Sequence, residues 1–246
     1  MCNGIRNKTL MDNRRTMDSE SKYISLGTIT ESNAVARTIT EAAYTHQRGN
    51  NSATTKSLDK RWIKHEGLRQ LAQIAVNNGV WIDEVLKLTD GESINNGTEN
   101  TVYLSKDGRN VIKVNNFFFL NDDDSEFEYT RDLNYFFDRI LTHNLLFPEV
   151  SYKIIGFTKN NTGQTCTVMK QPYIPNYEYA PHVLIETELN KRGFNKTVLG
   201  KGVNFGLTGY TNGIFELTDA KPQNVLKGES GILYFIDLDI SSVLFE

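Results

Sequence analysis

The residues best equipped for chemistry crowd into one short stretch. Asp219, Lys221 and Asn224 stand close together around Pro222, and Asp237 follows after a turn-like segment and an apolar run. A carboxylate on such a loop can accept a proton from a hydroxyl. An amide oxygen and a second carboxylate held together make a hard oxygen site suited to Mg2+. For that second pair to meet, Val225–Leu226 has to pair with Leu233–Ile236 across the turn Lys227–Gly231. A hairpin of this kind sets Asn224 beside Asp237.

On its own the cluster reads equally well as a turn, since Asp, Pro and Asn favour turns. The upstream sequence weighs against that. Thr101–Leu104 and Asn110–Val114 flank Ser105-Lys106-Asp107-Gly108-Arg109, which is a hairpin signal, and Lys113 lies in the second arm. A lysine on an edge strand points outward to block aggregation. Its alternation with Ile112 and Val114 does not decide which face Lys113 takes.

Other elements must position these groups. Leu68, Leu71, Ala72, Ala75 and Val76 continue the stripe begun by Trp62 and Ile63, predicting a helix from Asp59 to Asn78 that stops at Gly79. A second helix is expected from Ser125 to His143, and strands at Val150–Phe157 and Thr165–Lys170. Gln171–Pro175 reads as a stiff connector because prolines fix the backbone. A helix at Pro181–Arg192, a short hairpin or irregular strands over 194–215 and one buried strand over Gly231–Asp239 complete the reading. Residues 1–57 are polar and expected to be mostly disordered, with one short helix at Ala34–Tyr44.

Composition narrows the class. The chain has 246 residues, with 27 Lys and Arg against 30 Asp and Glu, a net charge of −3. That balance gives no evidence for nucleic-acid binding. No apolar stretch reaches the roughly 18 residues of a membrane span, and the first residues lack the apolar core of a signal peptide. Cys2 and Cys166 are the only cysteines, which argues against a disulfide framework or a zinc site. The simplest expectation is a cytoplasmic protein.

Asp219-x-Lys221-Pro222-x-Asn224 followed by Phe235-Ile236-Asp237 resembles the catalytic loop and metal-binding strand of the protein kinase superfamily. Gly97–Leu104 followed by Val111–Val114 resembles its glycine-rich loop and lysine-bearing strand. The resemblance spans residues 90–240. It is nearest to the minimal serine/threonine/tyrosine kinase-like domain found in polyvalent proteins of bacterial mobile elements, which Thr142–Phe147, Lys170–Ile174 and Tyr234–Asp237 also resemble.

The resemblance implies an α+β, minimal two-lobed kinase-like fold, with an antiparallel N-lobe sheet plus helix and a much reduced C-lobe. Residues 1–57 would form the N-terminal segment, 58–89 a helical lead-in, 90–170 the N-lobe, and 171–246 the hinge and C-lobe. It implies ATP and Mg2+ as cofactors and a protein or small-molecule hydroxyl as acceptor. Lys113 would pair with the α- and β-phosphates, beneath the backbone of Gly97, Thr98 and Asn100, with Val102 on the nucleotide side. Asn224 and Asp237 would hold Mg2+. Asp219 would orient the acceptor hydroxyl, with Lys221 near the γ-phosphate. Glu126, rather than Glu128, would be the helix glutamate paired with Lys113. Met169 would back the adenine pocket, with Tyr173 N–H donating and a carbonyl of Lys170 or Gln171 accepting.

The sequence also departs from the pattern. Leu217-Thr218 stands where many kinases have His-Arg, and Asn95 and Asn100 stand where glycines are usual. The chain stops at Glu246, soon after Asp237, so either this family is minimal or the chain has lost its tail. These features keep a second expectation open, a catalytically weak nucleotide-binding or interaction module of a mobile-element protein. Asp122, Asp123 and Asp124 read as a solvated helix start, His143 and His182 as structural, and Asp239 as a surface carboxylate.

Overall fold

The computed structural model describes residues 34–42, 60–97, 99–117, 133–199 and 206–242. Helix α1 covers residues 34–42, and α2 runs Lys60–Asn77. The end of α2 follows from Gly79, which adopts a left-handed φ of 69°. Val80 N–H reaches back to the Ala75 carbonyl at 3.0 Å, closing the helix in the manner glycine permits.

Five antiparallel strands follow: β1 (Thr89–Asn96), β2 (Asn100–Ser105), β3 (Asn110–Asn115), β4 (Lys153–Lys159) and β5 (Thr165–Pro172). Their order in the sheet is β1-β2-β3-β5-β4. Between β3 and β4 lies α3 (Leu133–Leu146). The expected helix from Ser125 is therefore seen from Leu133, and residues 118–132 lie outside the described part. The expected strand from Val150 begins three residues later, because Pro148–Val150 forms a 3-10 turn.

The remaining chain builds two small sheets around α4 (His182–Lys191). One joins β6 (Glu178–Tyr179), β10 (Val225–Lys227) and β11 (Leu233–Phe235). The other joins β7 (Asn195–Val198), β8 (Thr208–Thr211), β9 (Phe215–Thr218) and β12 (Asp239–Ser242). The last apolar run is thus two strands, not one. It breaks at Ile236–Leu238 and passes from one sheet to the other.

Two cores result, as burial of large apolar side chains requires. The first gathers Ile39 of α1, Leu71 of α2, Phe136, Phe137 and Ile140 of α3, and Met169 of β5. The polar N-terminal stretch therefore contributes core residues at 35, 39 and 42. The second core gathers Phe147, Ile185, Leu189, Leu217, Val225 and Phe235. This is a mixed α+β architecture, consistent with a reduced kinase-like fold.

Candidate active site

Lys113 faces inward. In antiparallel pairing, directly opposed residues share a face. Lys113 is opposite Val102 on β2 and Met169 on β5, so these three form a row across the sheet. Lys113 is 4% exposed, while Ile112 and Val114 take the other face. Nζ donates to the Ile236 carbonyl at 3.1 Å, a contact from the first sheet to the residue preceding Asp237. Burial lowers the Lys113 pKa, the charge of Asp237 draws it back up, and Arg139 pushes it further down.

The late hairpin forms with Val225 opposite Phe235. Ile236 N–H donates to the Asn224 carbonyl at 2.9 Å, which brings Asn224 to the chain just ahead of Asp237. Asp239 lies opposite Thr218, so the chain beyond Asp237 returns to the strand that ends just before Asp219. Asp219, Asn224 and Asp237 thus all leave from ends of these two small sheets.

Asp219 adopts a left-handed φ of 58°, a conformation Asp tolerates better than most side chains. Asn224 fixes it. The Asn224 amide nitrogen donates to the Asp219 main-chain oxygen and to Oδ2, both at 2.8 Å. Lys221 Nζ meets Oδ1 at 2.8 Å. With the Asn224 amide hydrogens so engaged, its Oδ1 is the end available to a cation. Among the described residues no three His, Cys, Asp or Glu side chains converge. One carboxylate and one amide oxygen suit Mg2+, which keeps waters and takes phosphate oxygens as further ligands.

A model described as Serine/Threonine/Tyrosine Kinase found in polyvalent proteins matches residues 64–242. The chain belongs to this kinase family. No curated protein and no solved structure matches it.

Several residues of this kinase domain sit differently from the sequence expectation. Tyr173 N–H donates to the Arg109 carbonyl at 3.0 Å, extending the β3–β5 ladder by one bond. It is therefore engaged within the protein. Ladder alternation then turns the Gln171 main chain toward Val111 and the Lys170 main chain toward β4. The first main-chain groups past these ladders are the Pro172 carbonyl and the Ile174 N–H, and Ile174 N–H makes no hydrogen bond among the described residues. The Lys170 side chain is on the sheet face opposite Lys113.

Asn100 is buried rather than displayed, and its Oδ1 accepts from Asn115 Nδ2 at 2.9 Å. Gly97 N–H donates to the Asn100 carbonyl at 2.9 Å, closing a tight turn whose Gly97 is exposed. Thr98, Glu126 and Asp122–Asp124 lie outside the described residues. Asp239 is not a surface carboxylate. It accepts from Tyr135 Oη at 2.8 Å and faces Arg139 at 3.8 Å. Arg139 also faces Glu99 beside Gly97 at 3.5 Å. Burial opposes its charge, but Asp239, Glu99 and Asp237 together raise its pKa.

Three side chains to which the resemblance assigns no role complete the surroundings. His143 of α3 bonds the Phe235 carbonyl at 2.8 Å. Gln171 Nε2 donates to the Val150 carbonyl at 2.9 Å and to that of Ile236 at 3.1 Å. Tyr152 Oη also bonds the Ile236 carbonyl. Their only sequence signal is a polar or aromatic side chain at the edge of an apolar run. Among the described residues no helix is long and apolar enough to cross a membrane.

Proposed function

We propose that this protein is an ATP- and Mg2+-dependent phosphotransferase that passes the γ-phosphoryl group to a hydroxyl of a protein or small molecule. The reading rests on one observation above the others. The ammonium of Lys113 reaches the residue next to Asp237, and Asn224 is bonded to that same residue from the other side.

In this reading Lys113 holds the α- and β-phosphates, and the turn at Gly97 covers them. Asn224 Oδ1 and Asp237 would hold Mg2+, which when bound supplies charge that offsets the charge developing on the transferred group. Val102 and Met169 line the nucleotide side of the sheet, with Ile174 N–H in the role expected of Tyr173 N–H and the Pro172 carbonyl in that expected of Lys170 or Gln171. Asp219 takes the acceptor's proton as its oxygen bonds to phosphorus and the bond to the ADP oxygen breaks. Lys221, already paired with Asp219, faces the γ-phosphate. Positioning and electrostatics carry the reaction, since the protein forms no covalent bond itself.

Adding ATP with Mg2+ is expected to raise the melting temperature, and Asp237→Ala to remove the gain. Absence of a shift in the wild type refutes the reading. Transfer of a radiolabelled γ-phosphoryl group that is lost in Asp219→Ala identifies an enzyme. Nucleotide binding without transfer identifies instead a binding module.

A further inference from the structure

Lys113 is a buried cation with neutral partners. Nζ lies 3.1 Å from the Ile236 carbonyl, 3.3 Å from Tyr152 Oη and 5.0 Å from the Tyr152 ring centroid. Among the described residues no carboxylate lies within ion-pair distance of it. Asp237 and Glu99 act on it only at longer range.

The Ile236 carbonyl is oversubscribed. A carbonyl oxygen has two lone pairs, yet Lys113, Gln171 and Tyr152 all donate to it. Tyr152 serves both groups at once. Its oxygen accepts from Lys113 while its O–H donates to Ile236. Burial raises its pKa well above the ordinary phenol value, so it remains a neutral donor. If Lys113 turns from the carbonyl to a phosphate, Tyr152 and Gln171 still satisfy both lone pairs. The lysine can leave without stranding a buried acceptor.

We propose that Tyr152 is the positioning residue of Lys113 among the described residues. Its ring and oxygen hold the ammonium beside Ile236, and its hydroxyl keeps the Ile236 carbonyl satisfied when the ammonium engages phosphate. A neutral partner leaves the full lysine charge for the nucleotide. The inference rests on the phosphotransfer reading.

The test is a double-mutant cycle on the affinity for ATP with Mg2+ in the full chain, using wild type, Tyr152→Phe, Lys113→Met and the double variant. Phenylalanine keeps the ring and removes only the hydroxyl. Tyr152→Phe is expected to weaken binding roughly tenfold, the worth of one hydrogen bond to a charged group. In the Lys113→Met background it is expected to cost nothing further, which a merely structural role does not produce. Equal losses in both backgrounds, or no loss in either, overturn the proposal while leaving the phosphotransfer reading intact. A wild type that binds no nucleotide overturns both. A second measurement needs no substitution: the NMR signal of the Lys113 ammonium is expected to move when ATP with Mg2+ is added, and an unmoved signal in the nucleotide-bound protein overturns the proposal.

Discussion

His143 makes the stability of this domain sensitive to acid. Its ring is 1% exposed, and Nε2 lies 2.8 Å from the Phe235 carbonyl. A carbonyl only accepts, so Nε2 carries the hydrogen and Nδ1 is the bare nitrogen. Nδ1 is buried without a hydrogen-bond partner. A proton placed there brings a charge to a site with no acceptor. Burial accordingly pushes the His143 pKa down from 6.5 to about 4, against the upward pull of the Phe235 bond.

As pH falls, the unfolded chain takes up this proton before the folded one. The stability contributed by the neutral ring is complete above about pH 6.5 and is lost progressively toward about pH 4. At roughly 1.36 kcal/mol per pH unit the whole gap is worth about 3 kcal/mol. About 2.5 kcal/mol of that is already lost at pH 4.5. Urea unfolding of the wild type and of His143→Gln, whose amide can still donate to Phe235, isolates the contribution. The wild type is expected to lose about 2.5 kcal/mol relative to the variant between pH 7.5 and pH 4.5. The chain has four histidines, so NMR titration gives an independent reading. Parallel pH profiles, or four rings all titrating near the ordinary value, refute the reasoning.

Three further outcomes are expected. Burial lowers the Lys113 pKa, so stability is highest above the unfolded-state value, where the amine is neutral in both states, and is lost progressively as pH falls toward the lowered one, below which the full cost of the buried ammonium is present. Lys113→Met should therefore melt higher than the wild type at pH 7 while losing nucleotide affinity, and a lower melting temperature contradicts the argument. Arg139 is a buried cation between Glu99 and Asp239. Arg139→Met should cost about 3 kcal/mol in chemical denaturation, and a neutral outcome shows that the network carries no net stability. A Cβ at Gly209 would lie 2.6 Å from the Leu217 carbonyl and 2.8 Å from Leu199 Cδ1. Gly209→Ala should lower stability by about 1–3 kcal/mol in thermal melts, and an unchanged melt shows that β8 and β9 can separate at no cost.

Local signals carried much of this architecture. The turn at Ser105–Arg109 and the spacing of Asn224 from Asp237 fixed two hairpins, and Gly79 fixed a helix end. What stayed hidden depends on contacts distant in sequence. Whether Lys113 faces in or out is decided by pairing with Val102 and Met169, which the alternation of β3 alone does not contain. The break at Asp237 arises because Asp239 pairs with Thr218, far back in the chain, while Phe235 pairs with Val225. Tyr173 looked available from its place after Pro172, but one more rung of the β3–β5 ladder takes its N–H. The Tyr152 and Gln171 side chains had no role to read from sequence because their acceptor is a main-chain oxygen, and a main-chain oxygen leaves no trace in residue identity.

That choice of acceptor has a mechanical consequence. The chain leading into Asp237 is held at Phe235 by His143 and at Ile236 by Lys113, Tyr152 and Gln171. These four donors come from α3, β3, the approach to β4 and the end of β5. To move the chain at Asp237 away from these elements, all of them must be broken together. At about 0.5–1.5 kcal/mol each, the clamp opposes that movement by a total of about 2–6 kcal/mol. Because the acceptors are carbonyls rather than carboxylates, salt screens the clamp far less than it screens an exposed ion pair. Only one of the four donors is charged, and it is the one whose departure leaves the carbonyl satisfied. On the phosphotransfer reading, the arrangement holds the chain at Asp237 before any nucleotide arrives, and nucleotide binding has only to turn Lys113.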